Sequence, residues 1–279
     1  MRIAVIGVGL IGGSIALAAR ERLGAFVAGF DRDSGALALA VERGLIDRAC
    51  SSVGEALSGA QAAFVAVPVG ALDASVGEVL EAAAPDCVVT DVGSTKRAVV
   101  GAFGADYRFV GGHPLAGTEH SGAAYARANL FEGATWHLSP TAAVSPELCA
   151  RLRDLIGRLG AAVETISAEE HDRLMASISH LPHVLANALV SEAAAAVRAA
   201  RRPPPSRSPS LRDSTRVAGA PSAIWTDIYL QNRDLLGAAL ERTIASLQEF
   251  RGALAVGERA RIAAFNDAAA SARRELFSP

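Results

Sequence analysis

The sequence is poor in the features that mark secreted, membrane-spanning or nucleic-acid-binding proteins. Its 279 residues include three cysteines and one lysine, Lys96, and aromatic residues make up only 5% of the chain. The formal net charge is -2 and the hydrophobic fraction is 51%, so the composition gives no indication of a nucleic acid or an anionic membrane as a partner. A chain of this length can fold without disulfides or metals, as one large domain or two ordinary ones.

The cysteines indicate a reducing compartment. Cys50, Cys87 and Cys149 are far apart, odd in number and without a C-x-x-C spacing, unlike a secreted disulfide framework. The apolar stretch after Arg2 resembles a secretion signal, but its glycines fall where a strand-turn-helix requires them. No later segment reaches about 20 apolar residues without a charge or a helix breaker. We therefore expect a cytoplasmic protein.

Short β-branched runs alternate with amphipathic stretches from residue 2 to about residue 165. This alternation predicts a parallel sheet with crossover helices, and the unbroken apolar runs suit strands buried on both faces. The predicted strands are, in order, Ile3–Ile6, Phe26–Phe30, Ala63–Val67, Val88–Asp91, Phe109–Gly112, Thr135–Leu138 and Ala161–Thr165.

The sequence changes character after Ser167, where strand signals disappear. The pattern predicts one long helix from Ala168 to about Arg198, with Ser167 as N-cap and two glutamates in the first turn. The Pro/Ser/Arg cluster at 201–210 cannot continue a helix and predicts an exposed loop. Apolar positions at helical spacing follow from Ser222 to about Arg273.

A glycine motif follows the first predicted strand and begins the first helix. Residues 7–12 read Gly-Val-Gly-Leu-Ile-Gly, and Asp31 ends the second strand 19 residues after Gly12. Gly7 permits a tight turn, Gly9 lets the backbone approach a pyrophosphate, and Gly12 lets the helix pack against the strand. Leu10 and Ile11 complete the motif at the helix N-terminus. Together these features predict a Rossmann-type dinucleotide site.

The residues after the second strand predict which nicotinamide cofactor binds. Asp31 can accept hydrogen bonds from the adenosine ribose and would repel a 2′-phosphate, which favours NAD over NADP. Arg32 leaves the alternative open, because an arginine here can pair with a 2′-phosphate, stack on adenine or face solvent.

Two later segments have the pattern of active-site loops. Residues 91–96 read Asp-Val-Gly-Ser-Thr-Lys and residues 111–119 read Gly-Gly-His-Pro-Leu-Ala-Gly-Thr-Glu, and both follow strands, at the sheet edge where ligands bind. Residues 179–183 read Ser-His-Leu-Pro-His, and residues 212–216 read Arg-Asp-Ser-Thr-Arg. In these motifs, their order and their spacing, the chain resembles the prephenate and arogenate dehydrogenases over nearly its whole length.

The resemblance implies a reaction and its catalytic residues. In this family a hydride leaves C4 of a cyclohexadienyl substrate, and loss of carbon dioxide makes the ring aromatic. The family pattern assigns the acceptor of the 4-hydroxyl proton to His113, and a neutral imidazole suits that role near pH 7. Ser94 is the matching partner, whose hydroxyl is expected to orient His113 and to touch the nicotinamide.

The resemblance also implies the substrate contacts. Arg216 is expected to hold a carboxylate in a bidentate pair, because a dianionic substrate needs compensating charge in a water-poor site. His183 is the expected further contact, and His180 is either a contact or structural. Glu119 and Asp213 are hypothesised to form an acidic gate or to pair with neighbouring arginines.

The remaining aromatic and histidine side chains are interpreted as structural or as having no predicted function. Trp225, nine residues after Arg216, is interpreted as a helix-packing residue. His120, His137 and His171 have no motif that supports catalysis, and their spacing does not predict a metal site.

The predicted fold class is α/β, with a Rossmann-type doubly wound parallel sheet in residues 1–167 and an all-helical C-terminal dimerisation domain in residues 168–279. We expect a homodimer, because a few Ala-rich helices have little core of their own. No further regulatory domain is expected, so tyrosine, if it inhibits, would occupy the substrate site.

Two substrates and two other functions stay open at this stage. Prephenate and arogenate differ only in a keto or amino group, which the sequence does not distinguish. A β-hydroxyacid dehydrogenase is expected to use a lysine on its helical domain, whereas Lys96 lies in the nucleotide domain. A non-catalytic NAD-sensing protein would have no reason to carry Ser94, His113, His183 and Arg216 together.

Overall fold

A computed structural model describes residues 1–117, 120–201 and 208–277. The strands are β1 (Arg2–Ile6), β2 (Phe26–Phe30), β3 (Arg48–Ala49), β4 (Ala62–Val65), β5 (Val88–Asp91), β6 (Phe109–Pro114), β7 (Thr135–Ser139) and β8 (Ala162–Thr165). The α-helices are α1 (Leu10–Leu23), α2 (Ser34–Glu42), α3 (Val53–Leu57), α4 (Leu72–Ala82), α5 (Arg97–Phe103), α6 (Pro146–Leu159), α7 (Ala168–Met175), α8 (Leu181–Ala200), α9 (Pro209–Thr215), α10 (Ser222–Gln231), α11 (Arg233–Ala255) and α12 (Arg259–Phe277).

The strands form one eight-stranded sheet in the order β3-β2-β1-β4-β5-β6-β7-β8. Strands β1 to β6 are parallel where they pair, β7 is antiparallel to β6, and β8 is parallel to β7. The predicted doubly wound parallel sheet is confirmed except at β7, which runs antiparallel to β6. In the described part of the β6–β7 connection only a short 3-10 turn occurs, at Ala123–Tyr125, and without a crossover helix the next strand runs back along the sheet.

Both faces of the sheet are covered, as the unbroken apolar runs predict. Along β1, Ile3 and Val5 point into one core cluster, whereas Ala4 and Ile6 point into the cluster on the opposite face. Helices α1 and α6 contribute to the first cluster, and α3 and α4 contribute to the second. Each fully buried Val or Ile stabilises the fold by about 1.5–3 kcal/mol.

Strand boundaries agree with the prediction to within two residues, with one omission. β3 was not predicted, because its two residues, Arg48 and Ala49, are exposed and carry no apolar pattern. It pairs only with β2, at the edge of the sheet.

The long helix predicted after Ser167 is present but interrupted. Ser167 accepts a hydrogen bond from the backbone N–H of Glu170, whose side chain returns to Ser167 in a capping box. A π-helical turn, Ala176–His180, separates α7 from α8. Pro182 has no N–H to donate to the carbonyl of Ile178, so the regular ladder cannot continue through this point.

The end of α8 bounds the predicted loop. Arg201 closes the helix in a left-handed conformation with φ 49°. Residues 202–207 lie outside the described part of the chain, and α9 already begins at Pro209. The predicted loop, 201–210, is therefore too long at its C-terminal end, because proline is accepted in the first turn of a helix.

By internal packing the chain divides into Met1–Asn232 and Arg233–Pro279. In the second unit, α11 and α12 pack against each other through Phe250 and Phe265, whose ring centroids are 4.9 Å apart. The functional boundary between residues 167 and 168 stays a prediction. None of the helices in the described ranges combines the length and the apolar character that a membrane span requires.

Candidate active site

The glycine motif lines a cavity of about 230 Å³ at the carboxyl edge of β1 and β2. Gly7 has φ +92°, and a Cβ there would overlap the carbonyl oxygen of Ala66. A Cβ on Gly12 would overlap the carbonyl oxygen of Gly7, whereas one on Gly9 would meet nothing within 4 Å. The turn is therefore closed on its protein side and open at Gly9, where a phosphate group needs close access to the backbone.

Asp31 and Arg32 line the same cavity. The Asp31 carboxylate accepts hydrogen bonds from the N–H groups of Val8, at 2.8 Å, and Asp33, at 2.9 Å. These bonds fix the carboxylate beside the glycine turn, and each oxygen keeps a lone pair for a ribose hydroxyl. The role of Asp31 in selecting the cofactor stays a prediction.

A second cavity, of about 390 Å³, extends from the glycine turn toward β5 and β6. Gly9, Leu10 and Ile11 line one side, and Ser94 and Trp225 line another. Because Gly9 also lines the first cavity, the two spaces meet at the glycine motif. An extended ligand with a phosphate-containing centre fits such a path.

A third cavity, of about 350 Å³, brings together three of the predicted catalytic and substrate-binding residues. Ser94, His113 and Arg216 all line it, although they come from the loop after β5, from β6 and from the segment after α9. The remaining described residues of its wall are mostly apolar: Pro114, Leu115, Ala116, Gly117, Met175, Ile178, Ser179, Val217, Ala220 and Trp225. A mostly apolar pocket with a few convergent polar groups is typical of a small-molecule site.

His113 is held by His171, for which no sequence motif predicts a catalytic role. Its Nδ1 lies 2.9 Å from Nε2 of His171, and Nδ1 of His171 lies 2.8 Å from a carboxylate oxygen of Asp172. The orienting partner expected for His113 was Ser94, but within the described ranges no hydrogen bond joins these two side chains. The catalytic roles of Ser94 and His113 stay predictions.

Asp172 is itself fixed by the loop that precedes α5. One of its oxygens accepts from the N–H of Lys96 at 2.7 Å, and the other accepts from the N–H of Arg97 at 3.0 Å. Although burial opposes ionisation, the hydrogen bond from His171 and those from the two N–H groups lower the pKa of Asp172. Asp172 is therefore a carboxylate near neutral pH.

Lys96, the only lysine, is completely buried and forms an ion pair with the equally buried Asp91. Asp91 also accepts from the N–H groups of Gly93, at 2.8 Å, and Gly112, at 3.0 Å. Removing one partner of such a pair leaves an uncompensated buried charge. Through the bond from Gly112, Asp91 ties the loop that carries Lys96 and Ser94 to β6, which carries His113.

These surroundings set the protonation of His113. Burial, together with the charges of His171 and Lys96, lowers the pKa of His113 well below its usual value. Burial likewise lowers the pKa of His171, although the neighbouring Asp172 opposes this. Both rings are neutral near pH 7, so His113 can accept a proton.

His183 and His180 lie near this cavity, packed against Trp225. The ring of His183 stacks on Trp225 with centroids 3.6 Å apart, and its Nδ1 is hydrogen-bonded to the hydroxyl of Tyr229. His180 is buried and receives a hydrogen bond of 3.2 Å from Asn232. Neither histidine is among the described lining residues, and their substrate roles stay predictions.

Trp225 is more than a packing residue. It stacks on His183, as a packing role requires, and it also lines both the second and the third cavity. A packing role and a cavity-lining role cannot be separated from sequence, because an aromatic residue at helical spacing is compatible with both.

The acidic gate is not tested by the structure. Asp213 is exposed and pairs with Arg212 at 3.8 Å, which is the alternative pairing considered for it, and an exposed pair of this kind contributes little. Glu119 lies outside the described residues. Elsewhere in the described ranges, no group of three or more His, Cys, Asp or Glu side chains is arranged to hold a metal ion.

Sequence reasoning missed His171, Asp172 and the Lys96–Asp91 pair. A usable signal existed for the first two: the adjacent pair His171-Asp172 follows the capping box at the start of α7. Its partner, His113, is 58 residues away, so only the packing of α7 beside β6 reveals the contact.

Comparison with known proteins identifies relatives for both parts of the chain. Residues 15–165 match the family described as prephenate dehydrogenase, nucleotide-binding domain, and residues 167–265 match prephenate dehydrogenase, dimerization domain. A prephenate dehydrogenase of Bacillus subtilis (strain 168) is 32% identical over 255 residues, covering 89% of this chain and 69% of the relative.

Solved structures are similar over almost the whole chain. Prephenate dehydrogenase from A. aeolicus, crystallised with hydroxyphenyl propionate and NAD+, has a TM-score of 0.88 and 27% identity, covering 99% of this chain and 98% of the other. Synechocystis arogenate dehydrogenase has a TM-score of 0.81 and 28% identity, covering 99% of this chain and 100% of the other.

Proposed function

This chain belongs to the prephenate dehydrogenase family, and we propose that it oxidises and decarboxylates prephenate to 4-hydroxyphenylpyruvate. It is an NAD-dependent dehydrogenase. The observation that carries the proposed substrate class is the third cavity, where Ser94, His113 and Arg216 meet beside the space that begins at the glycine motif. Nucleotide binding alone would require neither the buried histidine nor the arginine.

NAD fits the first two cavities. The open face of Gly9 would accommodate the pyrophosphate, and Asp31 would accept a hydrogen bond from a ribose hydroxyl. Leu10 and Ile11, with Ser94 opposite, line the path that leads to the third cavity. When bound, NAD supplies the acceptor for the hydride that leaves C4 of the substrate.

The residues of the third cavity divide the remaining work. Neutral His113 accepts the proton of the 4-hydroxyl as the hydride leaves. Arg216 holds a substrate carboxylate, because its planar fork matches that group. Met175 and Ile178 supply apolar surface for the ring.

The β-hydroxyacid alternative is disfavoured by the position of Lys96. Its side chain is completely buried and paired with Asp91, so it is not available as an acid or base for a substrate. Arogenate stays the alternative substrate, since an arogenate dehydrogenase is as similar to this chain as the prephenate enzyme is in sequence identity.

The chain carries a dimerisation domain, and we propose a homodimer. Leu185 and Leu189 lie one turn apart on α8 and are 40% and 43% exposed, and in the second unit Ile244 and Leu247 on α11 are 51% and 52% exposed. Burying such surfaces against a second copy would remove apolar area from water. Tyrosine inhibition, if present, should be competitive with prephenate, because the ring and its carboxylate would occupy the same cavity.

The test is the initial rate of absorbance change at 340 nm with prephenate and with arogenate, each with NAD and with NADP. Turnover with prephenate and NAD is the expected result. Turnover with arogenate but not with prephenate would show that arogenate is the substrate. No turnover in any of the four combinations would contradict the proposal.

A further inference from the structure

We propose that His171 and Asp172 are positioning residues that hold His113 in the tautomer with its proton on Nδ1, so that Nε2 is the atom that accepts the substrate proton. This inference rests on the proposed function for its catalytic consequence. The tautomer itself is a property of the protein without substrate and can be measured on its own.

The order of donors along the chain of hydrogen bonds is fixed from its buried end. Asp172 is 1% exposed and ionised, so it can only accept, and the 2.8 Å contact requires that His171 carry its proton on Nδ1. Nε2 of neutral His171 is then unprotonated and carries a lone pair that can accept a hydrogen bond. His113 must donate to it from Nδ1 across 2.9 Å, which leaves Nε2 of His113 as an acceptor.

Asp172 cannot reverse this order by turning. Its two oxygens are held by the N–H groups of Lys96 and Arg97, and Asn232 donates to its backbone carbonyl at 2.8 Å. The carboxylate is thus anchored to the start of α5, and the backbone of the same residue is anchored to the end of α10. A ring that only filled space would not require three separate anchors on its neighbour.

Burial and the charge of Lys96 favour the neutral form of both rings, whereas Asp91 and Asp172 favour a protonated His171. Lys96 is paired with Asp91 on one side. His137 lies edge-on to His171, with ring centroids 5.6 Å apart, and its Nε2 is 3.6 Å from Glu164. His180 is hydrogen-bonded to Asn232, and Arg97 contacts Asp172 at 3.4 Å.

The proposed reaction needs a base that gives its proton back. The C4–H bond breaks with its electron pair leaving as hydride, and the 4-hydroxyl proton passes to Nε2 of His113. The C–C bond to the carboxylate then breaks, its electron pair makes the ring aromatic, and the ring oxygen takes back the proton from His113. No net proton is released to solvent, so a base sealed in the protein suits this sequence.

His171 would stabilise His113 while it holds that proton. With both nitrogens protonated, His113 still donates from Nδ1 to His171, and the charge is spread toward Asp172. This is the same logic by which a buried carboxylate orients and stabilises a catalytic imidazole in hydrolases.

The direct test is nitrogen-15 NMR of protein labelled at its histidines, at pH 7.5 and without substrate. The six histidines give few signals, and His113→Asn assigns the one of interest. We expect His113 protonated on Nδ1 in the parent and at least partly on Nε2 in His171→Asn, whose amide reaches Asp172 but not His113. Protonation on Nε2 in the parent, or an unchanged Nδ1 signal in His171→Asn, would overturn the proposal.

A matched pair of variants tests the consequence for turnover. In His171→Gln the amide lies near the original Nε2 and its oxygen can accept from His113, so we expect kcat to exceed that of His171→Asn roughly tenfold or more, with loss in the latter on the order of 10²-fold. Equal values of kcat would overturn the role, because a merely structural ring would be replaced alike by both amides. NAD affinity and the melting temperature verify that each variant is folded.

The NMR and kinetic measurements distinguish failure of the proposed function from failure of the positioning role. If no substrate turns over, the proposed function fails while the NMR result still decides the tautomer. If His171→Asn does not fold, the tautomer in the parent protein still tests the inference.

Discussion

The Nδ1 atom of His113 lies 2.9 Å from the Nε2 atom of His171, although the two residues are 58 positions apart. His113 belongs to β6 of the nucleotide-binding sheet, and His171 belongs to the first helix after it. The candidate base is therefore oriented by the element that follows the predicted domain boundary. A change in the packing of α7 on the sheet would alter the base directly.

Replacing His113 with asparagine should abolish most turnover while leaving cofactor binding intact. Asparagine keeps a polar side chain but cannot take up and return a proton, so kcat should fall by roughly 10²-fold or more. Steady-state kinetics measure the loss, and titration of NAD by fluorescence measures binding. A variant with nearly the parent kcat would show that His113 is not the base.

Arg216→Gln should weaken substrate binding more than catalysis. Loss of a charge-assisted contact to a carboxylate costs about 1.5–3 kcal/mol, which corresponds to a rise of roughly 10- to 100-fold in the KM for prephenate. Arg212→Gln is the matched control, because Arg212 is 83% exposed in its side chain and pairs only weakly with Asp213. Equal KM values for the two variants would contradict the role of Arg216.

Two glycine variants should separate folding from cofactor binding. Gly7→Ala places a methyl group against Ala66 in a left-handed backbone conformation, so it should lower the melting temperature. Gly9→Ala meets no protein atom within 4 Å, so it should fold normally and lose NAD affinity by occupying the phosphate space. Gly101→Ala, on α5 and equally open, is the control and should leave both properties nearly unchanged. Normal NAD binding by Gly9→Ala would refute the assigned path.

The free energy of unfolding should fall as the pH is lowered from about 6.5 to about 4. Burial lowers the pKa of His180 from 6.5 to about 4, so in this range the unfolded chain binds a proton that the folded protein does not. The unfolded state is therefore favoured by acid, and stability rises with pH. The full difference corresponds to about 3 kcal/mol for this group.

Urea denaturation at a series of pH values measures this dependence. His180→Gln, which cannot take up a proton, should show a shallower slope between pH 6.5 and 4, with the remainder due to the other buried histidines. A slope identical to that of the parent would contradict the contribution of His180.

Much of the fold was predictable because its signals are local. The glycine turn, the strand runs such as Phe26–Phe30 and the capping box at Ser167 each depend on residues within a few positions of one another. These patterns predicted the doubly wound sheet and the start of the helical part. They also predicted that Ser94 and His113 follow strands at one edge of the sheet, and the structure places both on one cavity.

The strands, the helices and the glycine turn follow from local sequence, because periodicity, capping and glycine conformation act over short stretches of chain. Long-range packing sets the antiparallel direction of β7, the burial of Lys96 with Asp91, and the hydrogen bonds from His113 through His171 to Asp172. Asp172 and Lys96 are 76 positions apart, so no local pattern relates them. Packing removes these polar groups from water, and a buried polar group is stable only when another protein group pairs with it. Which group that is depends on the fold and not on the neighbouring sequence.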